Sequence, residues 1–363
     1  MILFIIIFLA IYLGANGLLF RALLSGISQF PLWAKITVSA LYWLLALSFI
    51  FIESFHRKLP MQAAHVLYWI GTGWLAVFLY MLLLLGVVSI AKWFGLPTVY
   101  FWAGGISLIA VALIAGFVHF NHPVVRHQSI NIETASSSHK SLRVVAVSDV
   151  HLGYGIRRER AEQYVRLINE QKPDLILISG DLIDVSVRPL WEDNMQEALR
   201  QLRAPMGVYM VPGNHEYISG INESVRFIQA AGIKLLRDSV VTLPCDIQII
   251  GRDDKSNARR KPISQLLSET NGKSPVILLD HQPDNDQIEQ IANSRRVDFA
   301  LFGHTHHGQI WPMTWITDLR YRQSHGYTHQ GRTHVYVSSG LGLWGPPFRI
   351  GTDSELIVVD FRF

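Results

Sequence analysis

Four long apolar segments, separated by short polar connections, occupy the first third of the chain. A helix needs roughly 20 apolar residues to cross a bilayer; three of the segments reach that length, and the second, at about 17, lies at the lower limit. None of the four contains Asp, Glu, Lys or Arg. We therefore predict an all-α transmembrane region with four helices over residues 1–120. The apolar segments are about 1–20, 36–52, 66–91 and 98–118.

From residue 143 onward the pattern changes to short apolar runs that alternate with amphipathic segments. Short apolar runs predict buried strands, and apolar positions spaced three or four residues apart predict helices. Alternating strands and helices are typical of a layered α/β domain, which we expect at 143–363. Residues 121–142, with the polar run 134–140, predict a linker. The expected strands are 143–148, 174–179, 207–211, 239–243, 247–251, 275–280, 298–302, 333–338 and 355–362, and the expected helices are 157–171, 190–203, 222–231, 262–269 and 285–293.

Charge is distributed unevenly between these two parts. The first 120 residues hold five Lys or Arg and one Glu, which leaves 27 basic and 27 acidic residues in the remainder. Because the second part is neutral, we do not expect nucleic acid as a partner. The single cysteine, Cys245, excludes a disulfide within the chain and a cysteine-based zinc cluster.

Four membrane spans would place the amino terminus and the α/β domain on the same side. Arg57 and Lys58 would lie on that side, whereas Arg21, Lys35 and Lys92 would lie opposite. With the basic residues that follow residue 120, the positive-inside rule slightly favours a cytoplasmic domain in a multi-pass protein of the cell membrane. Charge inside spans usually marks ion or proton pathways, so its absence favours an anchor over a transporter.

Residue types that bind metals directly follow five of the predicted strands. The carboxyl ends of strands in an α/β sheet face a common crevice, so these side chains are expected to meet there. A lone Asp, Asn or His is far more often a turn or surface residue, but that alternative does not fit five strand ends in succession. The segments are Asp149-Val150-His151, Gly180-Asp181-Leu182-Ile183-Asp184, Gly213-Asn214-His215-Glu216, Asp280-His281 and Gly303-His304-Thr305-His306.

In this order the five segments resemble the motifs of the calcineurin-like metallophosphoesterases. The resemblance extends over 143–363, and the segment 340–349 is similar to the tail of membrane-anchored bacterial members. It implies a four-layer α/β/β/α sandwich for this domain. It also implies a metal-dependent phosphoric ester hydrolase, which cleaves phosphomonoester, phosphodiester or pyrophosphate bonds through a dinuclear metal centre and a bridging hydroxide.

By the same resemblance seven side chains hold two divalent metal ions, and Mn, Fe and Zn all suit oxygen and imidazole ligands without thiolate. Asp181 is the expected bridging ligand. His215 is the expected acid that protonates the leaving oxygen, and Asp184 would orient and charge its imidazole. Glu216 is expected only to support its own turn. The other ligands are Asp149, His151 and His306 at one ion, and Asn214, His281 and His304 at the other.

The motifs leave the substrate open. The segment 310–316, which follows the last motif, is unusually apolar for that position. Packing beneath the final strands is the favoured explanation, and contact with membrane lipids or an acyl chain is the alternative, which would fit a lipid-linked phosphoester. The alternative function for the whole chain is a membrane signalling or scaffold protein that uses the phosphoesterase fold for binding.

Overall fold

The structure is a computed structural model that describes residues 2–132 and 140–363. Residues 133–139 of the predicted linker therefore lie outside the described residues. The chain forms two compact units. The first comprises Met1–Phe117 and Gly345–Phe348, and the second comprises Val118–Trp344 and Arg349–Phe363.

The first unit consists of long helices that contain the four predicted apolar segments. Each is long and apolar enough to cross a membrane, by length and composition. Pro31, Pro60 and Pro97 directly precede the second, third and fourth helices. Proline is favourable at this position because the N–H that it lacks would have no partner at a helix start. The helices are α1 (Ile2–Gly26), α2 (Leu32–Phe55), α3 (Met61–Trp93) and α4 (Thr98–Phe120).

The second unit contains two six-stranded sheets with helices packed on each. The first sheet consists of β1 (Val124–Asn131), β2 (Ser141–Val147), β3 (Leu175–Ser179), β4 (Val208–Val211), β5 (Lys234–Leu235) and β12 (Glu355–Arg362), in the spatial order β1-β12-β2-β3-β4-β5. The second consists of β6 (Ser239–Thr242), β7 (Gln248–Gly251), β8 (Val276–Leu279), β9 (Phe299–Phe302), β10 (Gly326–Gln330) and β11 (Thr333–Val337), in the order β10-β11-β9-β8-β7-β6. The helices are α5 (Arg158–Glu170), α6 (Arg188–Glu192), α7 (Met195–Leu199), α8 (Asn214–Ile218), α9 (Ile221–Ala230), α10 (Ile263–Ser268), α11 (Asn285–Ser294) and α12 (Met313–Arg320), with a 3₁₀ turn at His306–Gly308.

Alternation of side chains along β2 shows how the layers arise. Leu142, Val144 and Ala146 lie in an apolar core shared by the two sheets, whereas Val145 and Val147 lie in a core with α5, α7 and α9. Successive residues of a strand point to opposite faces, so one apolar strand contributes to both cores. A third core joins the second sheet to α10 and α11. The predicted four-layer α/β/β/α sandwich is confirmed.

The short elements α8 and β5 were not predicted, and three further regions differ from the predicted elements. The strand β1 lies inside the predicted linker and pairs in parallel with β12, because pairing satisfies main-chain groups that would otherwise need water. The predicted helix 190–203 is interrupted at Asn194, whose left-handed φ of 51° separates α6 from α7. The region 310–332, expected to be a loop, contains α12 and β10.

The strands that carry the five motifs run side by side. In the first sheet β2, β3 and β4 are adjacent and parallel, and in the second sheet β8 and β9 are likewise adjacent and parallel. Their carboxyl ends therefore lie at one edge of each sheet, and the motif residues follow directly from those ends.

Candidate metal centre

The main chain reverses sharply after the strand ends. Asp149, His151, Asp181, His304 and His306 all have φ between +48° and +72°. This left-handed conformation is uncommon for residues other than glycine and persists only where surrounding contacts maintain it. Hydrogen bonds between neighbouring loops provide such contacts, for example from the N–H of His151 to the carbonyl oxygen of Asp181 at 3.0 Å.

One group of buried side chains consists of Asp149, His151 and His306. The Nε2 atoms of His151 and His306 are 3.0 Å apart, and Asp149 Oδ1 lies 3.5 Å from His306 Nε2. Two imidazole lone pairs at this distance repel each other unless a proton or a metal ion lies between them. The geometry of this group therefore fits a bound cation.

A second group consists of Asp181, His281 and His304. His281 Nε2 lies 3.0 Å from Asp181 Oδ2 and 3.2 Å from Asn214 Oδ1. The other ring nitrogen of His281, Nδ1, is 2.8 Å from the carbonyl oxygen of Ser179. This contact orients the ring so that Nε2 faces the site, as in many metal-binding histidines.

Asp181 lies between these two groups. It forms a third group with His151 and His215, and its Oδ2 is 3.8 Å from His151 Nε2. Its Oδ1 accepts a hydrogen bond from the N–H of His215 at 2.8 Å. The side chains predicted as ligands are thus brought together around Asp181, the residue predicted to bridge two ions.

The charges and donor atoms of the buried side chains show which kind of ion the site suits. Three carboxylates, those of Asp149, Asp181 and Asp184, are almost completely buried within one small region. Burying like charges together costs free energy unless positive charge compensates. Carboxylate, amide and imidazole donors without thiolate suit Mn, Fe or Zn. The residues present therefore fit two divalent ions.

The two residues predicted as the catalytic pair also lie in this region. His215 Nδ1 is 3.1 Å from the carbonyl oxygen of Asp184 and 3.5 Å from its carboxylate. The same carboxylate lies 3.4 Å from His151 Nδ1. Asp184 thus contacts a predicted ligand as well as the predicted acid, which the sequence pattern does not indicate.

Electrostatics separates the histidines of the site into charged and neutral groups. Burial opposes protonation of His215, but the carboxylates of Asp181 and Asp184 outweigh it and raise the pKa of His215 to about 9. Burial together with the charge of His281 lowers the pKa of His304 to about 4. Burial would raise the pKa of Asp181, but the charges of His281 and His215 hold it well below its ordinary value. The neighbouring carboxylates therefore favour the protonated form of His215, which is the form that the predicted acid requires.

Glu216 supports more of the site than its own turn. Its buried carboxylate accepts hydrogen bonds from the N–H groups of Asp181 (3.0 Å), Ile183 (3.0 Å) and Gly213 (2.7 Å). Burial and the charge of Asp181 raise the pKa of Glu216 to about 7. Glu216 therefore ties the turn after β3 to the turn after β4, a contact between distant segments that sequence spacing does not show.

Arg349 is a further buried residue of the site that the sequence analysis does not single out. Its guanidinium donates hydrogen bonds to the carbonyl oxygens of His306 (3.1 Å), Ser339 (2.7 Å) and Gly342 (2.7 Å). Gly342 in turn donates its N–H to the carbonyl oxygen of Asp149 at 2.9 Å. Arg349 thus connects the loops that carry two predicted ligands. The signal in the sequence is its position at the end of the segment 340–349, two residues after Pro347.

Comparison with known proteins places this site in a family. The family model for calcineurin-like phosphoesterases matches residues 142–308, a range that includes every predicted ligand and both predicted catalytic residues. An uncharacterized metallophosphoesterase of Helicobacter pylori (strain ATCC 700392 / 26695) is 32% identical over 262 residues, which cover 71% of this chain and 66% of that protein. The metallophosphoesterase YkuE of Bacillus subtilis (strain 168) is 31% identical over 230 residues, which cover 61% of this chain and 79% of that protein. The chain belongs to the calcineurin-like metallophosphoesterase family.

The similarity of this metallophosphoesterase extends to a vertebrate relative. A transmembrane protein with metallophosphoesterase domain from Danio rerio is 31% identical over 268 residues, which cover 69% of this chain and 61% of that protein. The chain therefore spans about two thirds or less of the length of these Helicobacter and Danio relatives. The family is one of metal-dependent phosphoester hydrolases, and the four apolar helices of the chain indicate association with a membrane.

Proposed function

We propose that the protein is a membrane-anchored phosphoesterase whose site holds two divalent cations, Mn, Fe or Zn. The observation that supports this most directly is the convergence of carboxylate, amide and imidazole donors around Asp181. Within each group the donor atoms lie within 4.8 Å of one another. The proposed ligands are Asp149, His151, Asp181, Asn214, His281, His304 and His306.

Two divalent cations held by these residues would supply positive charge opposite the phosphoryl oxygens and a water of lowered pKa as nucleophile. Residues around the site hold the ligand side chains in position. Glu216 and Arg349 hold the turns that carry the ligands, and the carbonyl oxygen of Ser179 orients the ring of His281. Because these supports are hydrogen bonds between buried side chains and main-chain groups, the donors are held in place before substrate arrives.

His215 would donate its proton to the oxygen of the leaving group. Its raised pKa keeps that proton in place at neutral pH, and Asp184 holds the ring by contacts to Nδ1. Nε2 is then the nitrogen that faces the leaving oxygen. The carboxylate of Asp184 stabilises the charged imidazole before transfer, as acidic partners of catalytic histidines do.

The proposed organisation has a transmembrane domain at 1–120, a linker at 121–142 that contributes β1 to the catalytic sheet, and a catalytic domain at 143–363. The name of the Danio rerio relative, a transmembrane protein with metallophosphoesterase domain, supports this division. An even number of spans would place the catalytic domain on the same side as the amino terminus. The distribution of Lys and Arg favours the cytoplasmic side of the cell membrane.

The proposed substrate is a phosphomonoester, phosphodiester or pyrophosphate that a membrane presents, including a lipid-linked one. An anchored catalytic domain encounters substrates in its own membrane at high effective concentration, which favours this class over dilute soluble esters. Membrane lipids are the expected surroundings of the four apolar helices, and nucleic acid is not an expected partner.

The test uses the full chain reconstituted in lipid nanodiscs. After treatment with a chelator, the protein is loaded with Mn²⁺, Fe²⁺ or Zn²⁺, bound metal is counted by elemental analysis, and hydrolysis of aryl phosphomonoesters, aryl phosphodiesters and lipid phosphoesters is measured. We expect two ions per chain and hydrolysis only in the loaded protein. Hydrolysis that survives complete metal removal contradicts the proposal. Two bound ions without hydrolysis of any ester favour the alternative, a membrane signalling or scaffold protein that uses the fold for binding.

A further inference from the structure

An exposed apolar surface lies beside the metal centre. Trp315 and Leu319 of α12 are 61% and 89% exposed, and Ile316 between them is also exposed. Trp311, just before the helix, packs edge-on against Trp315 with ring centroids 5.3 Å apart. The favoured expectation for 310–316, packing beneath the last strands, is therefore wrong for Trp311, Trp315 and Ile316, whereas Ile310 is buried. Clustered exposed apolar residues usually mark a binding surface.

Trp344 extends this surface to the predicted catalytic acid. It is 57% exposed, and its ring centroid lies 6.4 Å from that of His215. The side chain of Gln309 makes two hydrogen bonds to the main chain of Trp344, at 3.0 Å and 2.9 Å. Gln309 is two residues before Trp311, so both tryptophans are attached to one framework. We refer to Trp311, Trp315, Ile316, Leu319 and Trp344 as the aromatic rim.

The helix of the aromatic rim is held against the loop of the last motif. Asp318 lies 3.4 Å from His307 Nε2, and Thr305 Oγ1 donates a hydrogen bond to the carbonyl oxygen of Ser324 at 2.6 Å. At Gly308 an added Cβ would collide with the main chain of Met313. These contacts fix the position of the aromatic rim relative to the proposed ligands His304 and His306.

We propose that the aromatic rim inserts into the interface of an anionic phospholipid bilayer. Tryptophan prefers the boundary between headgroups and acyl chains, and a short helix with exposed Trp, Ile and Leu can bury them there. Arg320, the last residue of the helix, complements anionic headgroups, whereas Arg322 two residues later is already paired with Glu289 at 3.2 Å. Only residues 121–123 separate the end of α4 at Phe120 from the start of β1 at Val124, so a short connection joins the domain to a helix that is apolar enough to cross a membrane.

This contact would give the protein a second attachment to the membrane, in addition to its four apolar helices. The contact also narrows the class of substrate, a consequence that rests on the proposed function. Trp344 beside His215 would bring the headgroup layer to the leaving-group side of the site. The substrate would then be a phosphoester within that layer, reached without removing the lipid from the bilayer.

The decisive experiment measures the depth of α12 in liposomes of phosphatidylcholine and phosphatidylglycerol. In the full chain with Cys245→Ala, a nitroxide is attached at Leu319→Cys. The matched control is Arg226→Cys on α9, where the arginine side chain is 67% exposed. Collision rates with oxygen, which concentrates in bilayers, and with a water-soluble nickel chelate are compared. We expect a higher ratio of oxygen to nickel collisions at position 319 than at position 226, and a fall in that ratio when phosphatidylglycerol is omitted.

Three results would overturn the proposal. Equal ratios at the two positions would place the rim in water. Low collision rates with both reagents at position 319 would show that protein covers it, either a second copy or another segment of the chain. A ratio that does not change when phosphatidylglycerol is omitted would remove the role of anionic lipid.

Activity gives a separate measurement of the consequence for substrate. Leu319→Asp should reduce hydrolysis of a phosphoester embedded in vesicles while leaving hydrolysis of a soluble aryl ester unchanged, and Arg226→Asp should change neither. Equal loss on both esters would contradict the role of the rim in substrate access. If the unmodified protein hydrolyses neither ester, the proposed function fails, but the nitroxide measurement still decides whether the rim meets the bilayer.

Discussion

The two units of the chain differ in the polar groups that they bury. In the described part of the first unit, the buried polar residues are uncharged: Asn16, Ser48 and Thr72. These residues form hydrogen bonds with nearby groups of the helices. Tyr42, for example, donates its hydroxyl hydrogen to Asn16 Oδ1 at 3.1 Å. The second unit instead buries carboxylates, imidazoles and the guanidinium groups of Arg252 and Arg349, and many of these groups follow strand ends.

This difference distinguishes buried polar groups that stabilise packing from buried charged groups that serve the proposed reaction. A neutral polar side chain in an apolar helix pair is satisfied by one or two hydrogen bonds and stabilises the packing. A buried charge is costly unless opposite charge or a metal ion compensates, so a fold retains several of them together mainly where they are used. The comparison predicts that substitutions of buried polar groups have large functional effects in the second unit and small effects in the first.

The largest effect is expected for Asp181→Asn. The amide keeps the shape of the side chain but removes the charge shared by both groups of ligands, so both ions should be lost. The loss of turnover should exceed the roughly 10- to 100-fold loss that follows removal of a residue that only orients a ligand. Elemental analysis and steady-state kinetics measure both quantities. Asp360→Asn, at a surface pair with Arg143, is the control; a metal content equal in the two variants would contradict the prediction.

A smaller loss of turnover is expected for His215→Ala than for Asp181→Asn. Removal of a general acid typically costs about 10²- to 10⁴-fold in rate, while the ions remain bound because His215 is not a proposed ligand. Turnover and metal content are measured on the same sample. Because the structure also groups His215 with His151 and Asp181, loss of one ion would show instead that His215 is a ligand.

A shift in pH dependence is expected for Asp184→Asn. With a pKa of about 9, His215 keeps its proton at neutral pH and loses it as the pH rises through that value, so turnover should fall on the alkaline side. The carboxylate of Asp184 raises this pKa, and its removal should move the alkaline limb to lower pH. Profiles of kcat against pH for both proteins measure the shift. An alkaline limb at the same pH in both proteins would mean that another group controls it.

The smallest effect is expected for Asn16→Leu in the first unit. The substitution removes the hydrogen bond that Asn16 Oδ1 accepts from Tyr42 of α2, and a bond of this kind between membrane helices contributes about 0.6 kcal/mol on average. It also removes the bond from Asn16 Nδ2 to the carbonyl oxygen of Tyr12 within α1, while Tyr42 keeps its contact with the main-chain carbonyl of Asn16. Unfolding in detergent should show a loss of stability of this order, and turnover should be unchanged. A loss of turnover comparable to that of His215→Ala would remove the distinction between the two units.

Features that depend on neighbouring residues were predictable from the sequence. A helix such as α3 follows from a long apolar run, and β3 and α5 follow from local periodicity, because these patterns repeat within one element. The residue types at the motif positions, with their order along the chain, also identified the family and the layered fold. The roles of the individual ligands and of His215 and Asp184 remain predictions.

Contacts between distant segments were decided only by the tertiary structure. The strand β1 looks like a linker because its partner, β12, lies more than 200 residues later. The left-handed turns at Asp149 and His306, the reach of Glu216 to a second turn and the burial of Arg349 all depend on loops from different strands meeting. Likewise, whether Trp315 and Leu319 face a core or solvent depends on what packs against α12. The sequence by itself determined which residues the protein has for its chemistry, and the tertiary structure decided where they meet, because convergence is a property of the whole chain and not of any one segment.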